Sequence, residues 1–160
     1  MLDRRILAGA WREAVSDFQR IFIDFEGGDG LELSQTPLPG GEGVQWIVKD
    51  QSGEQPILPF RIGGYLTYLV RAPYTGLAGA DQRTHLGHAQ PFATVTLVPP
   101  GKEPLQLVVG TEVDGSIFVW NGTAKILMHT TPELGRLLAP DVGMLCDQDR
   151  LNPWEVWLSR

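Results

Sequence analysis

Residues 93–129 read ATVTLVPPGKEPLQLVVGTEVDGSIFVWNGTAKILMH, and this stretch decides the fold. Apolar and polar residues alternate over Ala93–Leu97, the period-two pattern of a strand with one buried face. Pro99-Pro100-Gly101 breaks the pattern, and branched residues resume over Leu105–Val113. Asp114-Gly115 and Asn121-Gly122 then bound two more apolar runs, Ser116–Trp120 and Ala124–Met128. Both dipeptides suit the positive φ angles of a type I′ turn, so each is expected to close a tight hairpin. The stretch predicts a consecutive antiparallel meander, with Gly115 and Gly122 both at positive φ.

On the N-terminal side, Ile6, Leu7, Ala10, Trp11, Ala14, Val15 and Phe18 fall at helical spacing, with Arg5, Arg12, Glu13, Asp17 and Arg20 between them. That is one apolar stripe, and it predicts a helix over 3–20, with Asp3 as its cap, packed against a sheet. The period then shortens to two at Ile21, Ile23 and Phe25. The Gly27-Gly28-Asp29-Gly30 turn follows, so 21–34 is read as a hairpin. Residues 45–49 read as a strand and 50–56 as a turn. Ile57–Arg61 reads as a strand that Pro59 confines to an edge or bulge. Tyr65–Arg71, YLTYLVR, suits a strand or a short helix; its aromatic and branched residues favour the strand. Residues 72–92 read as a long connection.

C-terminal to the meander, Thr131-Pro132-Glu133 supplies a cap, a first-turn proline and an early acid, which predicts a helix over 132–138. Asn152-Pro153-Trp154-Glu155 repeats that logic. The fold expected is α+β: a curved or partly closed antiparallel sheet of six to eight strands, the helix of 3–20 packed on it, and two short C-terminal helices. A length of 160 residues, 42% apolar and 20% charged, fits a single domain over 1–160 with its own core. The 19 glycines and 12 prolines imply many turns and short strands.

A net charge of −6 works against nucleic-acid binding, which rests on neutralising phosphates. No apolar run is long enough to span a membrane as a helix, and the N-terminal residues lack a signal-peptide core. One cysteine, Cys146, permits no internal disulfide, and a cytoplasmic location is expected. The sequon Asn121-Gly122-Thr123 then carries no meaning as a glycosylation site.

Candidate chemistry is sparse. His85 and His88 with Asp81 could offer three zinc positions, but a polar solvated loop explains them as well, and no metal is assigned. Cys146 could pair with His129 or His88, yet Asp147 beside it raises a thiol pKa, and a lone cysteine is usually a small buried hydrophobe. No serine lies in a GxSxG elbow. The runs at 27–30 and 40–43 lack a phosphate-loop pattern and each carries an acid. Asp24, Glu26, Asp29 and Glu32 do not follow EF-hand spacing. No catalytic residue and no cofactor is assigned.

The function expected is a non-catalytic soluble binding or adaptor protein acting through protein–protein contacts, one form of it an acidic inhibitor of a basic partner. Trp154 and Trp157 are the interface candidates, Trp157 as the more exposed of the two. The alternative is a small enzyme or small-molecule-binding protein whose site is formed by the 72–92 loop, with Tyr74, Asp81, Arg83, His85 and His88 lining it.

Overall fold

The computed structural model describes residues 5–7, 18–78 and 91–159. Their elements are β1 (Arg20–Phe25), β2 (Gly30–Pro37), β3 (Val44–Asp50), β4 (Gly53–Pro56), α1 (Pro59–Arg71), β5 (Gly76–Leu77), β6 (Pro91–Val98), β7 (Leu105–Val113), β8 (Ser116–Asn121), β9 (Ile126–Thr130), α2 (Pro132–Arg136), α3 (Val142–Cys146) and α4 (Pro153–Leu158). The described strands form one open sheet in the order β4-β3-β2-β1-β6-β7-β8-β9-β5. Every pairing is antiparallel. The fold is α+β, with the meander where the alternation placed it. The strand count exceeds the expected range because the 50–56 turn closes on β4 and the two-residue β5 adds to the far edge.

Period-two side chains line up across the sheet in rows. Val48, Leu33, Ile21, Leu97 and Leu105 are successive partners across five strands, and all are buried. Leu31, Ile23, Val95, Leu107 and Asn121 form the next row, and Ala93, Val109, Val119 and Met128 a third. These rows share one core with Ile62, Tyr65, Tyr68 and Leu69 of α1 and with Trp154 of α4. Burying each large aliphatic side chain among them contributes roughly 1.5–3 kcal/mol, so the sheet face and the helices stabilise one another.

Two expectations are overturned in 57–71. Neither Ile57–Arg61 nor Tyr65–Arg71 is a strand: Pro59 opens α1, which runs to Arg71. The residues facing inward are Arg61, Ile62, Tyr65, Tyr68 and Leu69, at i, i+1, i+4, i+7 and i+8, one face of a helix. A proline at the first helical position costs no hydrogen bond, so the residue taken for a strand breaker is a helix starter.

The two hairpin turns also differ. Asp114 and Gly115 both have positive φ, 51° and 79°, as a type I′ turn requires. Gly122 does not. Asn121 pairs with Ile126, so the loop is longer, and Lys125 takes the left-handed position at 57°. Asn121 accounts for this: its Oδ1 accepts from the amides of Thr123 and Ala124, at 3.1 and 3.0 Å, and shapes the loop in place of a glycine.

The middle of the predicted N-terminal helix lies outside the described residues. At its ends, Ile6, Leu7 and Phe18 are buried, as the stripe requires. Arg5 bridges Pro73 and Arg20 begins β1, so these ends are not helical. Thr131 caps α2 through Leu134 N, and Asn152 caps α4 through Trp154 N and Glu155 N. A third short helix, α3, lies between them; Asp141 caps it through Met144 N.

Candidate functional site: a groove between two helix starts

The ends of short helices leave carbonyls without intrahelical partners, and here side chains from distant elements satisfy them. Tyr65 donates its hydroxyl hydrogen to Leu138 O at 2.8 Å, and Tyr68 donates to Leu134 O. Trp154 Nε1 donates to Leu137 O at 3.1 Å. Arg61 does the same for the next segment: Nη1 donates to Met144 O at 2.8 Å, and Nη2 to Asp147 O at 3.2 Å and to Arg150 O. α1 is thereby fastened to the whole stretch 134–150. A cation at the end of α3 also suits the negative pole of that helix.

This fastening brings the start of α1 against the start of α4. Asn152 joins them, donating from Nδ2 to Phe60 O at 3.3 Å while its Oδ1 caps α4. The close approach depends on Gly64, where a Cβ would lie 3.1 Å from Trp154 Cβ. Between the two helix starts lies an open groove of about 810 Å³, mainly apolar, with Leu58, Pro59, Gly64 and Leu158 along it. Phe60 and Leu151 also line it and stand 84% and 83% exposed. Two arginines and one acid, Arg61, Arg150 and Glu155, supply its charge.

Of the residues expected to form a site in the 72–92 loop, Asp81, Arg83, His85 and His88 lie outside the described residues. Tyr74 is half-buried against the core. The two interface candidates part company. Trp154 is fully buried, its ring 5.4 Å from that of Tyr65, and belongs to the core. Trp157 is half-buried and meets Tyr68 edge-on at 4.9 Å.

His129 sits on β9 with its ring 5.9 Å from that of Phe118 and close beside Gly76. Cys146 ends α3, half-buried. Burial pushes its thiol pKa up and Asp50 adds to the rise, while Arg61 opposes it. That direction disfavours the thiolate. Among the described residues the acids of the β1–β2 hairpin make one weak ion pair: Arg20 lies 3.9 Å from Glu32. Asn121 is buried, and its Nδ2 donates to Ile6 O at 3.3 Å, so the sequon amide is engaged inside the protein.

Sequence reasoning missed Phe60, Arg61, Arg150 and Leu151. Phe60 and Arg61 fall in a segment read as a strand, and the other two lie some ninety residues further on. The available signal was Leu151, a large apolar residue directly before a helix cap with no place in a periodic pattern. No protein family, curated protein or solved structure matches the chain. No helix among the described residues is long and apolar enough to cross a membrane.

Proposed function

We propose that the chain is a non-catalytic protein-binding module that presents the groove between α1 and α4 to a partner. One observation carries this reading: Phe60 and Leu151, two large apolar side chains, stand almost wholly in solvent on an apolar groove. Single exposed apolar residues are ordinary, but two on one concave surface mark a docking patch. Aromatic and arginine side chains, both present here, are the residue types that dominate binding energy at interfaces. The partner is a protein: the net charge of −6 works against nucleic acid. A cytoplasmic setting goes with a chain that has a single thiol and no disulfide to protect.

The test is site-specific photo-crosslinking in the native host, with a benzophenone-bearing phenylalanine analogue at position 60. A discrete adduct that disappears when Leu151→Asp is added supports the reading. Adducts formed from the outer sheet face, at Phe22 for example, with none from position 60, would move binding elsewhere and end it.

A further inference from the structure

The groove is lined by two arginines and one acid, Arg61, Arg150 and Glu155, in a chain whose net charge is −6. Arg61 is only 5% exposed, lines the groove, and spends three hydrogen bonds on backbone carbonyls. Carbonyl oxygens are partial charges. No carboxylate among the described residues forms an ion pair with it, although the ion pairs present include Arg20–Glu32, Arg136–Glu112 and Arg150–Asp141. With no carboxylate among the described residues to balance it, a buried guanidinium is expensive, and this one has more N–H donors than three bonds use. Arg150, half-exposed and 3.6 Å from Asp141, adds a second positive charge on the same groove. The groove therefore combines apolar sides with a buried guanidinium that no described carboxylate pairs, a second arginine paired with Asp141, and one acid, Glu155.

Resting on the reading of this groove as a protein-docking surface, we infer that its occupant is a partner segment with a large apolar side chain, seated between Phe60 and Leu151, and a carboxylate a turn or so away, placed on Arg61 and Arg150. Charge complementarity selects the acid. The open form of the groove selects a peptide over a small amphiphile, because small-ligand sites enclose most of their ligand and this surface does not. A short helix laid between two helix starts gives the spacing: apolar and acidic residues three or four apart share one face. A carboxylate arriving there accepts charge-assisted bonds from donors already held in place.

The experiment is selection of random peptides displayed on phage against the full chain, with counter-selection on the Phe60→Asp/Leu151→Asp variant. Selected peptides are then synthesised and titrated by fluorescence anisotropy. The expected peptides pair Leu, Phe or Trp with Asp or Glu at fixed spacing. Exchanging that acid for its amide weakens binding at least about tenfold, as loss of one charge-assisted bond would. The same exchange has little effect on Arg150→Gln or Arg61→Gln protein; circular dichroism checks that each variant is folded, and Arg150, being at the surface, gives the cleaner arm. Apolar peptides without an acid that still need Phe60 and Leu151 would overturn the inference and leave the docking reading intact. An acid whose effect persists in both arginine variants would overturn it too. Failure to find any peptide that distinguishes the chain from the counter-selection variant would overturn both.

Discussion

Arg61, near the start of α1, donates from Nη1 to the carbonyl oxygen of Met144 at 2.8 Å, across 83 positions of chain. This one side chain closes the exposed end of α3, fastens the C-terminal segment to α1, and leaves a positive charge beside the groove. Fold and site are linked there. Arg61→Met should therefore destabilise by about 1–3 kcal/mol, since it leaves the Met144, Asp147 and Arg150 carbonyls, which are only partly buried, without their donor. Arg61→Lys should recover only part of this, because an ammonium cannot fork to three acceptors in fixed directions. Equilibrium urea unfolding measures both. A stability unchanged in Arg61→Met would mean that the C-terminal segment is held without it.

Asn121 makes a second long-range tie. Asn121→Ala removes the Oδ1 that accepts from two turn amides and the donor to Ile6 O, at a cost of about 2–3 kcal/mol. Asn121→Asp keeps the acceptors but buries a charge, so it should be no better. Thermal melts of the two variants separate the outcomes: if Asn121→Asp matched the native chain, the bond to Ile6 would contribute nothing.

The turns give a paired prediction. Gly115→Val forces a branched residue to a φ of 79° and should cost roughly 1 kcal/mol or more. Lys125 already sits at 57°, so Lys125→Gly should stabilise by about 0.5–1 kcal/mol through relief of that strain. A loss of stability in Lys125→Gly would show that the lysine side chain has a role that outweighs its backbone.

The contrast between these turns shows what the sequence could and could not reveal. Asp114-Gly115 is a local signal, and local chemistry decided it. Asn121-Gly122 carries the same signal, but the Asn121 side chain is drawn inward to Ile6, more than a hundred positions away, and the longer loop wins. The same competition governs 59–71. Tyr, Thr and Val favour a strand, and Gly63-Gly64 weakens the helical pattern. What settles the helix is the pair of tyrosine hydroxyls reaching Leu134 and Leu138, tertiary contacts that periodicity does not encode. The groove was illegible for the same reason: its halves meet only after α1, α3 and α4 have packed.

Tyr65 and Tyr68 make stability depend on alkaline pH. Burial raises both pKa values above the ordinary 10, with Tyr68 adding to the rise at Tyr65 and Glu133 at Tyr68. The folded state thus holds its phenolic protons where the unfolded chain releases them. Their contribution is complete below pH 10 and is lost as pH rises above it, by up to about 1.4 kcal/mol per pH unit for each tyrosine. Urea unfolding at a series of pH values should show a falling stability that is shallower in Tyr68→Phe. An equal slope in that variant would mean that Tyr68 ionises as freely folded as unfolded.

Gly63 and Gly64 are adjacent in α1, yet the same substitution should act on them with opposite sign. Alanine is favoured over glycine inside a helix by about 1 kcal/mol, so propensity alone predicts equal gains. At Gly63, which is exposed, a new Cβ meets nothing within 4 Å, and Gly63→Ala should stabilise by about that amount. At Gly64 the new Cβ would lie 3.1 Å from Trp154 Cβ, with Asn152 atoms at 3.6 and 3.7 Å. Trp154 has little room to give way: its indole is fully buried and its Nε1 is bound to Leu137 O. Relief requires α4 to move away from α1, so the helical gain is cancelled or reversed by overpacking, which costs about 1–3 kcal/mol in a close-packed interior. Because Gly64 also lines the groove, this displacement should weaken the binding of any groove-selected peptide, while Gly63→Ala leaves it unchanged. Melting temperature and peptide affinity, measured on both variants, test the packing and the site together. Equal stabilisation by the two alanines would show that α1 and α4 do not depend on glycine for their approach.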